Sequence, residues 1–168
     1  ATAEHGRPRL AGACASSGID FNLSHSRDLA LVAVARGVRL GVDVELVDPV
    51  RDVRALAGRF FAAEEQQALA RAGDAGAAEL FHRLWSLKEA YSKALGLGLA
   101  LSPRRYAIET ACDGRARVVR APSDGTPTGA VELVELALPG DFVGALCTIG
   151  REGGLARVRA FDARELVA

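Results

Sequence analysis

Cysteine, aromatic residues and any excess of charge are scarce in this sequence. Its 168 residues include three cysteines, Cys14, Cys112 and Cys147, which lie far apart and form no CxxC pair. This odd number and wide spacing argue against a disulfide framework or a zinc site and favour a reducing compartment. Six phenylalanines, two tyrosines and one tryptophan are too few for a base-stacking platform. Basic and acidic residues both number 21, so no global charge attracts the chain to nucleic acid or membranes.

Long apolar runs and several common catalytic motifs are also missing. No apolar run approaches the roughly 20 residues of a membrane-spanning helix, and the opening ATAEHGRPRL lacks the apolar stretch of a signal peptide. From these two absences we expect a soluble, cytoplasmic protein. The sequence has no GxxxxGK[ST], HExxH or GxGxxG after a strand, which argues against a P-loop, a zinc protease and a dinucleotide-binding fold.

The hydrophobic pattern predicts an α+β fold, because strands stand before and after a block of helices. Three strands are predicted within residues 19–47, and their short spacing favours a meander. Two helices are predicted within residues 50–73, followed by a loop, GDAGA, and one long helix closed by Gly96 and Gly98. The predicted strands after Pro103 are YAIET, RARVVR, VELVELAL, FVGALCTIG and RVRAF.

The segment LGVDVELV, residues 40–47, alternates as a strand whose apolar positions share one face. The other face carries Asp43 and Glu45 about 7 Å apart, given a rise of about 3.3 Å per residue. Like charges at this spacing repel each other, so a divalent cation between them is one reading. Mg²⁺ is the cation that suits one or two carboxylates together with phosphate oxygens. The simpler alternative is a strand whose polar face is exposed to solvent.

The helical segment LFHRLWSLKEAYSKALGLGL, residues 80–99, offers three charged residues of interest. Glu89 and Lys93 are separated by four positions, on the side away from the apolar stripe, where an ordinary exposed ion pair is the simplest reading. Lys88 falls toward the apolar side. There it could extend to solvent or meet a buried anion.

Ser24 and His25 lie at the end of the predicted strand IDFNLSHS. Adjacent residues of a strand point apart, so they cannot readily act as nucleophile and base. A contact with an anion at the mouth of a site fits better, with a surface histidine as the alternative. Arg7, in Gly-Arg-Pro at residues 6–8, could bind a phosphate but is equally consistent with an ordinary surface arginine.

In their order and combination these segments resemble the phosphopantetheinyl transferase superfamily. The resemblance is to its Sfp type, which activates carrier proteins of polyketide synthases and non-ribosomal peptide synthetases. The family's two hallmark segments are a strand, (V/I)(G/A)(V/I)D(V/I)E, and a helix, W-x-x-K-E-(A/S)-x-x-K. Both are intact, as GVDVE at residues 41–45 and WSLKEAYSK at residues 85–93, and FFxxxE stands between them at residues 60–65.

The resemblance implies an enzyme, a holo-[carrier protein] synthase that uses coenzyme A as its substrate. Such an enzyme transfers the 4′-phosphopantetheine arm to a serine of an acyl or peptidyl carrier protein and releases adenosine 3′,5′-bisphosphate. The implied catalytic residues are Glu89, as general base, and Lys93, which neutralises charge on the phosphate. The implied ligands of Mg²⁺ are Asp43, Glu45 and Glu89, and the implied coenzyme A contacts are Arg7, Ser24, His25, Lys88 and Lys93.

The resemblance also implies two similar halves, a pseudo-dimer of antiparallel sheets packed with helices, with coenzyme A in the cleft between them. Residues 1–40 would then be the tail of the first half, and residues 41–168 the second half with the Mg²⁺ and catalytic motifs. Family members usually have several dozen further residues before their Gly-Lys-Pro segment. We therefore expect a first half that is truncated here, in a protein that is a monomer at full length or an oligomer in this short form.

Two other functions fit part of the pattern. A Mg²⁺-dependent nuclease could use the acidic strand. Nucleases of that class carry (D/E)-x-K on one strand, however, and residues 43–47 contain no lysine. A non-catalytic module that binds coenzyme A or a carrier protein is the alternative from a different class. The intact acidic residues and lysine of the two hallmark segments argue against a loss of activity.

Overall fold

The computed structural model describes residues 7–49, 52–122, 127–150 and 158–162, and it has the predicted α+β fold. The strands in these ranges form one antiparallel sheet of two strands and another of five. In chain order they are β1 (Ile19–Ser26), β2 (Leu29–Arg36), β3 (Arg39–Leu46), β4 (Ala107–Thr110), β5 (Arg115–Arg120), β6 (Ala130–Leu136) and β7 (Phe142–Gly150).

Three α-helices lie between β3 and β4, namely α1 (Val53–Phe60), α2 (Ala63–Arg71) and α3 (Gly73–Leu95). The predicted end of the long helix is confirmed, because Gly96 takes the left-handed conformation with φ 75° and its N–H bonds back to helix carbonyls. None of the helices in the described ranges combines the length and apolar character needed to span a membrane.

The predicted GDAGA loop is wrong, because these residues form the first turns of α3. Gly73 has φ 68°, and this left-handed conformation lets the chain change direction within two residues of the end of α2. Ala77 is buried in the helical core. Its packing outweighs the modest cost of glycine within a helix.

The five-stranded sheet has the order β3-β7-β6-β5-β4. The predicted meander of the first three strands is therefore wrong beyond the β1–β2 hairpin. β3 pairs with β7 instead, in a register that sets Asp43 opposite Ala145. The predicted strand RVRAF is also not formed, since residues 158–162 are irregular, while residue 157 lies outside the described residues.

The open edge of β3 is bonded by side chains of β1. In the described ranges no backbone ladder joins these two strands. Every second residue of β1 offers a side-chain oxygen, and every second residue of β3 donates its backbone N–H to one of them. These oxygens satisfy N–H groups that an edge strand would otherwise leave to water, and the arrangement carries Ser24 to the side of Asp43. The four bonds run from Leu40 to Asp20 (2.9 Å), Val42 to Asn22 (3.0 Å), Val44 to Ser24 (3.4 Å) and Leu46 to Ser26 (3.1 Å).

Helix α3 lies at the centre of the molecule, because it contributes to both hydrophobic cores. Its second half packs on the five-stranded sheet, and its first half packs with α1 and α2. The closest approach to the sheet is at Gly41. A Cβ there would lie 2.2 Å from the Ala90 oxygen and 2.5 Å from the Ala94 nitrogen. The glycine of GVDVE thus lets α3 lie directly against β3.

Candidate active site

Asp43, Lys93 and Ser24 meet at the edge of β3. The Lys93 ammonium donates hydrogen bonds to Asp43 Oδ1 (2.7 Å), Ser24 Oγ (3.1 Å) and the Val42 carbonyl (3.1 Å). Ser24 Oγ also donates to Asp43 Oδ1 over 2.9 Å. The structure thus joins three residues that the sequence assigns to the site but that lie far apart along the chain.

The second carboxylate oxygen of Asp43 is in a different situation. Asp43 is 4% exposed, and its Oδ2 is a buried side-chain atom with no hydrogen-bond partner among the described residues. Burial raises the pKa of Asp43, and the ion pair with Lys93 opposes this rise. Buried polar atoms nearly always have partners. The Ser86 hydroxyl is near this carboxyl and lowers its pKa, but it donates to the Asp43 backbone carbonyl, so Oδ2 is an acceptor that a cation would satisfy.

Glu89 lies one turn before Lys93 on α3 and is half-buried. Burial raises the pKa of its carboxyl, the nearby Asp43 anion raises it further, and Lys93 lowers it. Glu89 is therefore close enough to Asp43 and Lys93 for both charges to affect its pKa. The simple reading of Glu89 and Lys93 as an exposed helix pair is wrong, because in the described part of the chain Lys93 bonds to β3 and to Ser24 of β1 and not to Glu89.

The donor set suits a cation that completes its coordination with substrate oxygens. Glu45 follows Asp43 on the same face of β3 and is half-buried. Across the described ranges, however, no group of three or more His, Cys, Asp or Glu side chains is arranged to hold a metal ion. Mg²⁺ usually takes only one or two carboxylates and leaves its other positions to water and phosphate. The oxygen of Asp43 without a partner fits such an ion, and the complete three-carboxylate set stays a prediction.

Lys88 is fully buried on another side of α3. Its ammonium lies 2.7 Å from Glu65 Oε1 and donates to the carbonyls of Pro103 and Tyr106, each over 2.9 Å. Burial lowers the pKa of Lys88 to about 8. Of the two alternatives for Lys88, extension to solvent or contact with a buried anion, the structure shows the second. The predicted contact of Lys88 with coenzyme A is corrected, because all three N–H groups are used and no surface of the side chain reaches solvent.

Arg7 holds the first residues of β3 to α3. Its guanidinium pairs with Asp20 and donates to the Leu40 and Lys93 carbonyls. The Arg7 side chain is 8% exposed. A phosphate contact would require it to leave these partners, so the structure gives Arg7 a role within the fold and leaves the predicted phosphate contact unsupported.

His25 is exposed and follows the buried Ser24 along β1. Successive side chains of a strand point to opposite faces, so His25 lies on the face of the hairpin away from Asp43. The predicted contact of His25 with a nucleotide phosphate stays a prediction.

Sequence reasoning did not identify several partners of the site residues. Ser86 Oγ donates to the Asp43 carbonyl over 3.3 Å, Asp20 pairs with Arg7, and Asn22 bonds β3. One signal was available, because residues 20, 22, 24 and 26 of β1 all carry short side-chain acceptors at alternate positions. Such a pattern marks one polar face of a strand but does not say what that face meets.

We expect Asp43→Asn to stabilise the metal-free protein at pH 8. The raised pKa means that the folded state holds the Asp43 proton more tightly than the unfolded chain does. The cost of the ionised carboxylate therefore grows as the pH rises through the folded-state value, and asparagine avoids it.

Urea unfolding in EDTA measures this difference. The gain in the free energy of unfolding should disappear at about pH 3, because Asp43 is then neutral in both the folded and the unfolded state. A less stable variant at pH 8 would show that the ion pair with Lys93 outweighs burial.

The site lies in the part of the chain that resembles known proteins. The sequence pattern of the 4′-phosphopantetheinyl transferase superfamily (ACPS) matches residues 39–147. The 4′-phosphopantetheinyl transferase HetI of a Nostoc species is 44% identical over 95 residues, which are 56% of this chain and 40% of HetI. The 4′-phosphopantetheinyl transferase psf-1 of Bacillus pumilus is 38% identical over 108 residues, which are 64% of this chain and 44% of psf-1. The chain thus spans less than half the length of these curated relatives.

Two solved structures share the fold. The holo-[acyl-carrier-protein] synthase of Thermotoga maritima matches with a TM-score of 0.54 and 21% identity, over 68% of this chain and 65% of the synthase. The synthase of Helicobacter pylori, solved in complex with coenzyme A, matches with a TM-score of 0.50 and 16% identity, over 66% of this chain and 99% of its own. The sequence match covers both hallmark segments and the fold agrees, so this chain belongs to the 4′-phosphopantetheinyl transferase superfamily.

Proposed function

We propose that this chain transfers the 4′-phosphopantetheine arm of coenzyme A to a serine of a carrier protein, with Mg²⁺ bound at the site. One observation carries the proposal. The chain belongs to a family of transferases and has, beside the half-buried Glu89, an ion pair between the buried Asp43 and the partly exposed Lys93, in which one Asp43 carboxylate oxygen has no partner among the described residues. Such a site can receive a cation together with a phosphorylated substrate.

Glu89 is the proposed general base. In the reaction the serine oxygen bonds to the phosphorus that carries pantetheine, and the bond from this phosphorus to the adenosine bisphosphate breaks. The serine proton passes to Glu89. The raised pKa of Glu89, caused first by burial and then by Asp43, brings its basicity closer to neutral pH, where a general base works best.

Lys93 and Asp43 provide the charge of the site. Asp43 would hold the ion through Oδ2, while Oδ1 keeps Lys93 in place. Lys93 is 25% exposed, so its ammonium can exchange the neutral Val42 carbonyl or Ser24 hydroxyl for a phosphate oxygen. The bound Mg²⁺ would neutralise negative charge on the pyrophosphate. Glu89 and Glu45 are the further proposed ligands.

We also propose that residues 1–40 end a first half of the protein and residues 41–168 form the second. Within the described residues the β1–β2 hairpin shares no backbone ladder with the five-stranded sheet, which supports a division close to the start of β3 at Arg39. The outward face of β1–β2 leaves Leu23 49%, Val32 70% and Val34 65% exposed, as expected for a hairpin that belongs to a larger layer. The proposed partners are coenzyme A and carrier proteins of polyketide or non-ribosomal peptide synthesis, and the proposed compartment is the cytoplasm, consistent with cysteines that are all free.

Intact-mass spectrometry of an apo carrier protein tests this function. Incubation with the full chain, coenzyme A and Mg²⁺ should add the mass of one phosphopantetheine arm, and EDTA should prevent the addition. A carrier protein in which alanine replaces the acceptor serine is the control. Binding of coenzyme A without any mass gain would indicate a non-catalytic module.

A further inference from the structure

A buried ion pair joins three elements next to the proposed site. Glu65, which is 2% exposed, accepts hydrogen bonds from the Ala62 nitrogen at the start of α2 and from the Ile108 nitrogen of β4, each over 2.9 Å. Its third partner in the described part of the chain is the Lys88 ammonium of α3, at 2.7 Å. Both charges are therefore fully enclosed, and each is bonded to groups with fixed positions.

Tyr106 holds the same turn of α3 from a second direction. Its hydroxyl donates to the Lys88 carbonyl over 3.0 Å, and the Lys88 ammonium lies 4.1 Å from the centre of its ring. The ammonium also donates to the Tyr106 carbonyl. Side chain and backbone of Lys88 are thus both attached to the segment that leads into β4.

The next residue along α3 is Glu89, the proposed base. We propose that Glu65, Lys88 and Tyr106 are positioning residues, which fix the rotation and height of α3 and so aim Glu89 at Asp43 and the substrate. This inference rests on the proposed function. All three side chains are enclosed in the protein, with exposures of 2% for Glu65 and 0% for Lys88 and Tyr106, so we assign them no contact with the substrate.

The chemistry of the Glu65–Lys88 ion pair fits a role in positioning α3 better than a role in stabilising the fold. A buried ion pair is often no more stabilising than apolar residues of the same volume, since desolvation offsets the attraction. Apolar contacts tolerate sliding, because they have no preferred direction. The bonds at Lys88 have fixed donors and acceptors, so a small rotation of α3 would break several of them at once. The directional contacts therefore define one rotation and one height of α3.

Three variants test the inference in order of severity. Tyr106→Phe removes one hydrogen bond and should lower kcat by about threefold to tenfold, while Lys88→Met and Glu65→Gln should lower it by at least about tenfold. KM for coenzyme A should change much less. Glu64→Gln is the matched control, because the neighbouring Glu64 is exposed and pairs with Arg120 at the surface. It should leave kcat unchanged.

A double-mutant cycle separates positioning from stability. If Tyr106 and Lys88 act through Glu89, their substitutions should lower kcat in the wild-type background and have little further effect in Glu89→Gln. Their effect on the urea midpoint should be the same in both backgrounds. Fully additive losses of kcat would overturn the inference.

Carbon-13 NMR gives a reading that does not depend on activity. The Glu89 carboxyl signal, assigned by its loss in Glu89→Gln, should move in Tyr106→Phe and stay in place in Glu64→Gln. An unmoved signal in a folded Tyr106→Phe variant would overturn the positioning role even if transfer is observed. A moved signal in a chain that transfers no phosphopantetheine would support the positioning role and reject the proposed function.

Discussion

Glu89→Gln is expected to lower kcat for phosphopantetheine transfer by about 10²–10⁴-fold, the usual contribution of general base catalysis. Glutamine keeps the size of the side chain and one acceptor oxygen but cannot take the serine proton. KM for coenzyme A should change far less, because Asp43 and Lys93 remain in place. Steady-state kinetics with an apo carrier protein, under saturating Mg²⁺, measures both constants.

Glu79→Gln is the control for this substitution. Glu79 lies on the same helix but is exposed, and its contact with Arg83 is long, at 4.0 Å. The same chemical change there should leave kcat near the wild-type value. If Glu89→Gln retains most of its activity, the base is another group, and Glu89 is at most a metal ligand.

Gly41→Ala is expected to have the largest effect on stability. The added Cβ would lie 2.2 Å from the Ala90 oxygen and 2.5 Å from the Ala94 nitrogen, and both are backbone atoms that cannot rotate away. The helix must therefore move off β3. We expect a loss of about 3 kcal/mol in the free energy of unfolding, at the upper end for overpacking, and a loss of transfer because Lys93 moves away from Asp43.

Gly58→Ala is the matched control for Gly41→Ala. Gly58 is an exposed glycine within α1, and a Cβ there would have no neighbour within 4 Å. Alanine is favoured over glycine inside helices by roughly 0.5–1 kcal/mol, so this variant should be slightly more stable and fully active. Urea unfolding of the two variants measures the contrast. A Gly41→Ala variant as stable as wild type would mean that α3 does not require this close contact with β3.

The sequence by itself determined the class of fold and pointed to the residues proposed for the site. Alternation identified β3 and the face that holds Asp43, and helical periodicity together with Gly96 located α3 and its end. These are local properties, set by which side of an element is apolar and by where the backbone needs glycine. The two hallmark segments then pointed to the superfamily, which the sequence match confirms.

Only the tertiary structure decided what each polar group meets. The same apolar bias that placed Lys88 inward did not reveal Glu65 as its partner, and nothing in the local pattern indicated that β3 pairs with β7. Likewise, the local pattern did not indicate that the Arg7 guanidinium bonds to Asp20 and to the Leu40 and Lys93 carbonyls. Burial and pairing depend on residues far apart in the chain, whereas periodicity reports only the direction in which a side chain points. The charge, pKa and role of a polar residue are set by those distant neighbours, so they follow from the packed structure alone.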